Sequence, residues 1–473
     1  MLNFRRWVVF TFLVHLMVIA VDKGGGLLLY LLTRNEVDQH GRASLLASLP
    51  FILMSAANLG LATSLVYLLR RNRFGVQKVF ETTMTVALVW GTLVGALAAV
   101  LVLGLLPLVR PDWAFDPWLV IPMCGAVPLL LVASYGNSIQ LATERIKDYG
   151  AVHLVSSLAY LPAFFAIFVV LGANVAEGDV PMAVSWGRLV TAAFVAMVVL
   201  TMLRNIVKVR LGFDRLFFRA GCSYGWRANL NSTITYLNHR LDLLIVGALY
   251  VAPATTGSNS TDLVLEQVAF YSMAVTWAEL VWHFPEAMRD LFFSKVAGST
   301  HEQAKLLTPV FSRIGLFVSL VGGLLVMQLV DPVMGTITSL VQSGSNPWYE
   351  HWSDPVGQSL LVLLPGTVAF TVSKLLQADL AARDKLQQCV NAQLMVLAVM
   401  LAADAALVPD YGAVGAAAAS TVAYVVATIY TLWVYSRETG TSSWKCLFVH
   451  GDDFHYLGDV VRTVWRKIRR GKL

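Results

Sequence analysis

The sequence predicts an all-α polytopic membrane protein with about twelve transmembrane helices. Three observations carry that prediction. Hydrophobic residues make up 57% of the 473 and charged residues only 14%, with a mean hydropathy of +0.65; a soluble chain carries about 25% charged residues. Apolar runs of roughly 20 residues, enough to cross a bilayer as a helix, recur along the whole chain. The polar segments between the runs alternate between basic and acidic, as inner and outer loops do.

The first run follows Arg5 and Arg6 and continues past His15 through Asp22, Lys23, Gly24, Gly25 and Gly26 to Leu32. No small-residue cleavage site follows a short apolar core, so residues 7–32 read as an uncleaved span rather than a leader. The three glycines weaken the helix and invite a bend. Further spans are expected at 44–69, 79–108, 118–141, 152–171 and 184–203. After a polar connector they resume at 224–251, 263–293, 310–329, 356–380, 390–407 and 411–435. This gives an N-terminal six-helix bundle at 1–203, a cytoplasmic connector at 204–223, a C-terminal six-helix bundle at 224–435 and a tail at 436–473.

One set of loops is rich in Lys and Arg: Arg70, Arg71, Arg73 and Lys78, then Arg145 and Lys147, then Arg204, Lys208, Arg210, Arg215 and Arg219. The alternate set carries Glu36, Asp38, Asp112, Asp116, Glu177, Asp179, Asp331, Glu350, Asp354 and Asp410, with only Arg34, Arg42 and Arg110 beside them. The positive-inside rule places both termini in the cytoplasm, and the net charge of +6 is a topology signal rather than a nucleic-acid footprint. Trp348, Tyr349 and Trp352, in the longest outer loop, read as interfacial aromatics. In the tail, Leu457, Val460, Val461, Val464, Trp465 and Ile468 form one helical stripe opposite a basic face, as in a helix lying on anionic lipid.

Ionisable groups inside spans are expensive and usually face a cavity or each other. In the seventh span Arg227, Asn231, Thr235, Asn238 and Asp242 fall within an arc of roughly 80° at about 100° per residue. In the eighth, Glu279, His283, Glu286 and Asp290 share a face. Thr367, Thr371, Lys374 and Gln377 share one in the tenth, and Arg188 sits in the outer third of the sixth. Any single pair, such as Asp22 with Lys23, can be explained as helix fastening. Basic residues in both halves point instead to a cationic cavity, lined by Lys23, Arg188, Arg227, Asn231, Asn238 and Lys374. Gly41, Asn58 and Gly60 read as close packing. Cys124, Cys222, Cys389 and Cys446 lack paired or metal-ligand spacing, so neither disulfide nor metal site is expected, and no P-loop or other cofactor motif is present.

Two segments carry a resemblance. Gly41-Arg42-Ala43-Ser44 leading into Ala57-Asn58-Leu59-Gly60-Leu61-Ala62-Thr63-Ser64 resembles the second span of lipid-linked oligosaccharide flippases. Asn238-His239-Arg240-Leu241-Asp242-Leu243-Leu244, with Ala269-Phe270-Tyr271-Ser272-Met273 and Ala278-Glu279-Leu280-Val281-Trp282-His283-Phe284-Pro285 after it, resembles the start of their second half. These proteins belong to the MATE-like superfamily of multidrug, oligosaccharidyl-lipid and polysaccharide exporters. The resemblance implies a MATE-like bundle pair in a bacterial inner (plasma) membrane. It implies a flippase rather than an enzyme, moving an undecaprenyl-pyrophosphate-linked oligosaccharide to the outer leaflet for cell-surface polysaccharide synthesis. Its partners would be the lipid-linked oligosaccharide, membrane lipids and polysaccharide assembly proteins. An ion-coupled multidrug exporter of the same superfamily is the alternative, favoured by Glu279 and Glu286. A membrane polysaccharide polymerase or ligase is a third reading, disfavoured by the short outer loops. With no nucleotide site, coupling would fall to H+ or Na+, and Asp22, Asp242, Glu279 and His283 are the candidate ion-binding groups.

Overall fold

Breaks at glycine and asparagine decide where these long apolar helices end. The computed structural model describes residues 17, 25, 37–109, 115–170, 180–251, 260–297, 301–341, 347–383 and 385–448. The helices are α1 (Val37–Ala57), α2 (Leu61–Arg70), α3 (Val76–Val100, extended by a π-helical turn to Leu105), α4 (Pro117–Ala142), α5 (Ile146–Val170) and α6 (Val180–Leu203). They continue with α7 (Arg215–Leu249), α8 (Ser260–Ala297), α9 (His301–Val341), α10 (Pro347–Ala382) and α11 (Leu386–Thr439). No strand occurs among the described residues.

Seven helices are long and apolar enough to cross a membrane, and α1 with α2, bent by 47°, makes an eighth span. The helices α7 and α8, 35 and 38 residues long, have the length but are more polar. The 54-residue α11 contains two spans joined at Gly412, whose φ of 53° and ψ of −125° break the helical backbone. This matches the all-α architecture of about twelve spans read from the sequence. The first span apart from Met17 and Gly25, the aromatic side chains of the long outer loop and the amphipathic tail lie outside the described residues.

Packing forms two compact units, one within Leu16–Ser272 and one within Met273–Leu473. In the first, α4 is the central helix: 67% of its apolar window is buried, against 28% for α3. Leu61, Leu65, Phe80, Val127, Leu131 and Val199 close its core. On the outside of α3, Val89, Leu93 and Leu97 are exposed as a lipid-facing helix requires. Between α1 and α2 the chain turns through Leu59 (φ 56°) and Gly60 (φ 73°). A left-handed leucine costs about 1–3 kcal/mol, offset here by local bonds. The Asn58 carbonyl accepts from the Tyr135 hydroxyl at 2.8 Å, and the Asn58 side chain accepts from the Ala62 amide at 3.2 Å. Gly60 meets Gly225 of α7 backbone to backbone, leaving no room for a Cβ on either, and Gly41 does the same against Leu265 of α8. Gly41 and Gly60 have the close-packing role read for them, whereas Asn58, read with them, holds the turn by hydrogen bonds instead.

In the second unit α10 is central, with 72% of its window buried. A buried polar ladder fastens it. Trp282 Nε1 donates to the Thr367 carbonyl at 2.7 Å, Ser319 pairs with Thr371 at 3.0 Å and Ser373 with Thr431 at 2.8 Å. Gln377 donates to Ser373 at 2.9 Å and accepts from Gln393 at 3.0 Å. Such bonds hold helices together where lipid removes the hydrophobic drive. Beyond the last span, burial pushes the Cys446 thiol up to about 12, under Val372, Leu376 and Tyr435.

Candidate functional site

Arg188 of α6 is the most unusual cation among the described residues. Its guanidinium lies 3.9 Å from the centroid of the Tyr160 ring on α5 and 5.4 Å from that of Phe51 on α1. Its Nε is buried and makes no hydrogen bond, and no carboxylate pairs with it among the described residues. The helix brings it there because Gly187, beside it, packs against the Phe164 backbone and so draws α6 onto α5. Aromatic faces hold a guanidinium by their quadrupole at about 0.5–2 kcal/mol each, and they leave its in-plane donors unused. A planar donor fork of this kind suits a carboxylate or phosphate.

Along α7 the expected stripe divides. Arg227 is exposed, 5.3 Å from the Trp226 ring centroid. Asn231 keeps a buried Oδ1 without a donor, and the Thr235 hydroxyl turns back to the Asn231 carbonyl at 2.8 Å. Asn238 and Asp242 are buried, 1% and 3% exposed. The Asp242 carboxylate accepts from the Tyr271 hydroxyl of α8 at 2.5 Å. The same helix is anchored to α1 by Thr233, which donates to the Ser55 carbonyl at 3.1 Å.

In the other unit, Lys374 of α10 is 8% exposed, with its Nζ 3.5 Å from the Trp282 ring centroid. Glu279 of α8 is half-buried. A turn beyond Lys374, Asp379 is fully buried, accepting from the Thr308 hydroxyl at 3.0 Å and from Arg383 Nε at 2.7 Å. Lys23 and Asp22, and the side chains of His283, Glu286 and Asp290, lie outside the described residues. Arg188 and the α7 residues thus share one unit, and Lys374 and Glu279 the other. Sequence reasoning missed Phe51, Tyr160, Trp282 and Tyr271 as partners of the charged groups. Each is one aromatic among many in an apolar span, so only the packing singles it out.

No model of a known protein family matches the chain, and no curated protein does either. Solved structures do resemble it. One is described as the lipid II flippase MurJ in an inward closed conformation, at 13% identity, covering 98% of each chain with a TM-score of 0.65. Another is an inward-facing multidrug resistance MATE family transporter of the MOP superfamily, at 13% identity, covering 86% of this chain and 94% of that one with a TM-score of 0.63. A third is an outward-facing MATE transporter, at 11% identity, covering 92% and 95% with a TM-score of 0.63. At such identities the likeness is one of fold, and it extends over nearly the whole chain. This protein is a multi-pass membrane protein with the fold shared by MATE transporters and the lipid II flippase.

Proposed function

We propose that the protein is a flippase for an undecaprenyl-pyrophosphate-linked oligosaccharide, carrying it from the cytoplasmic to the outer leaflet by alternating access. The observation that supports this most is Arg188. A cation within a membrane helix costs up to about 2.5–3.5 kcal/mol to insert, the figure for the helix centre. Most such cations recover that cost from a neighbouring carboxylate. Arg188 is instead held by two aromatic faces with its donors unspent, an arrangement ready for an anionic ligand. A diphosphate presents several oxygens that accept charge-assisted hydrogen bonds.

In this reading the two halves, 1–203 and 224–435, rock about the substrate, with 204–223 joining them and both termini in the cytoplasm of a bacterial inner membrane. Lys23, Arg188, Arg227 and Lys374 supply cations for the diphosphate, and Asn231 and Asn238 donate to its oxygens or to the glycan. Asp22, Asp242, Glu279 and His283 are candidates for coupling to a proton or sodium gradient. The multidrug alternative keeps one specific support: Asp242 and Glu279 are carboxylates within spans, suited to organic cations.

Proteoliposomes separate the two readings. A fluorescent undecaprenyl-diphosphate oligosaccharide should flip, and Arg188→Gln should slow it at least about ten-fold, as expected when one charge-assisted contact worth about 1.5–3 kcal/mol is lost. Transport of lipophilic cations with no flipping of the lipid diphosphate would reject the flippase reading in favour of the exporter.

A further inference from the structure

The connector between α6 and α7 is laid along α3 in a fixed register. Gln77 of α3 clasps the Lys208 backbone on both sides: its Nε2 donates to the Lys208 carbonyl at 2.8 Å, and its Oε1 accepts from the Lys208 amide at 2.9 Å. Thr85 does the same for Gly212, donating to its carbonyl at 2.9 Å and accepting from its amide at 3.1 Å. The Asp214 amide donates to Thr82 at 2.9 Å. The spacing explains the fit. Eight helical residues from Gln77 to Thr85 rise about 12 Å, and the irregular chain from Lys208 to Gly212 can reach about 13 Å when extended.

An extended strap pinned on one edge sends alternate side chains to opposite sides. Lys208 and Arg210, with Arg204, line a cavity of about 500 Å³ floored by Gln77 and Glu81. Its one carboxylate, Glu81, already accepts from Gln77 at 2.7 Å, so the cavity holds three cations against one anion. The odd-numbered residues of the strap are apolar and exposed: Val209 is 53%, Leu211 65% and Phe213 57% accessible, followed by Leu216 at 76% in the first turn of α7. The α7 N-terminus is not part of this site, because Asp214 caps it by accepting from the Leu216 and Phe217 amides. All of this lies at the membrane end that the loop charges assign to the cytoplasm.

We propose that the connector is a lipid-binding strap. The phosphate of an anionic phospholipid in the cytoplasmic leaflet docks among Arg204, Lys208 and Arg210, while Val209, Leu211, Phe213 and Leu216 enter the acyl boundary beside α3. Charge and apolarity both fit one occupant: a headgroup phosphate satisfies the cavity, and only a lipid also brings chains to the apolar edge. This site is separate from Arg188 and does not depend on what the protein transports.

The test uses the purified full chain in phosphatidylcholine nanodiscs titrated with phosphatidylglycerol, with bound lipid counted by native mass spectrometry. The triple variant R204Q/K208Q/R210Q should weaken binding up to about a hundred-fold at low salt, at about five-fold per cation near an anionic surface. The strap's hydrogen bonds use its backbone, so they survive these changes. A control losing the same charge at the same membrane face but outside the connector, K147Q/R437Q/K445Q, should change binding far less than the triple variant. V209S/L211S/F213S keeps the charges and should weaken binding about ten-fold through lost apolar insertion. Equal binding by the triple variant and the parent would overturn the proposal, as would an equal loss in the control. Inorganic phosphate at millimolar levels that saturates the site and excludes phosphatidylglycerol would overturn the lipid as occupant.

Discussion

Arg188 and Arg383 are both cations in the helical layer of this protein, and their surroundings are opposite. Arg383, at the end of α10, donates from Nε to a fully buried Asp379 that also accepts from Thr308. That is a closed pair, with the cation matched to a carboxylate one helical turn away. Arg188 has two aromatic rings and no carboxylate among the described residues. The difference teaches where charge fastens helices and where it is left for something else. The Arg383 charge is balanced within the fold, although its Nη2 is buried without a hydrogen bond, whereas a guanidinium held over aromatic rings carries a charge that no carboxylate among the described residues balances.

The comparison breaks most visibly at Asp379. Asp379→Ala strands a buried guanidinium and should lower stability by about 3–5 kcal/mol, read from the unfolding midpoint in detergent. If it is harmless, the pair is not closed in the sense described. Asp242, which accepts from Tyr271, is the intermediate case: Tyr271→Phe removes that hydrogen bond and should destabilise by about 1–3 kcal/mol. Asp242→Asn tests the same carboxylate for coupling, since a proteoliposome response to an imposed proton or sodium gradient should fall if it binds the ion. On the Arg188 side the expected stability effects are smaller. Tyr160→Leu removes the nearer ring and should cost about 0.5–2 kcal/mol, measured as a coupling energy in a double-mutant cycle with Arg188→Gln. Phe51→Leu, removing the ring at 5.4 Å, should cost less than about 1 kcal/mol.

The fold was legible because a membrane leaves the sequence few choices. Long apolar runs must be helices, and loop charge must sort by side. The bend between α1 and α2 was not legible as a bend, because residues 44–69 read as one unbroken apolar run; it follows from Leu59 and Gly60 in left-handed conformations. Hydropathy separated the spans at 390–407 and 411–435, yet the backbone runs helically almost through, interrupted at Gly412. The polar face of α10 was visible as a period, but its use was not. Thr371 and Gln377 bond to neighbouring helices, the Thr367 hydroxyl turns back to the Leu363 carbonyl of its own helix, and Lys374 sits over Trp282. Arg188 stood out in the sequence as a charge in a span. What makes it unusual comes from Phe51 and Tyr160, which lie 137 and 28 residues before it, and nothing periodic ties them to it.

The most direct measurement is the affinity of the purified protein for a soluble short-chain prenyl-diphosphate disaccharide, by calorimetry, in the parent and in Arg188→Gln. The expected result is saturable binding by the parent and a Kd about ten- to a hundred-fold weaker in the variant, the loss of one charge-assisted contact to phosphate, with the unfolding midpoint of the variant close to that of the parent. Unchanged affinity in a folded Arg188→Gln protein would contradict the assignment of Arg188 to the diphosphate.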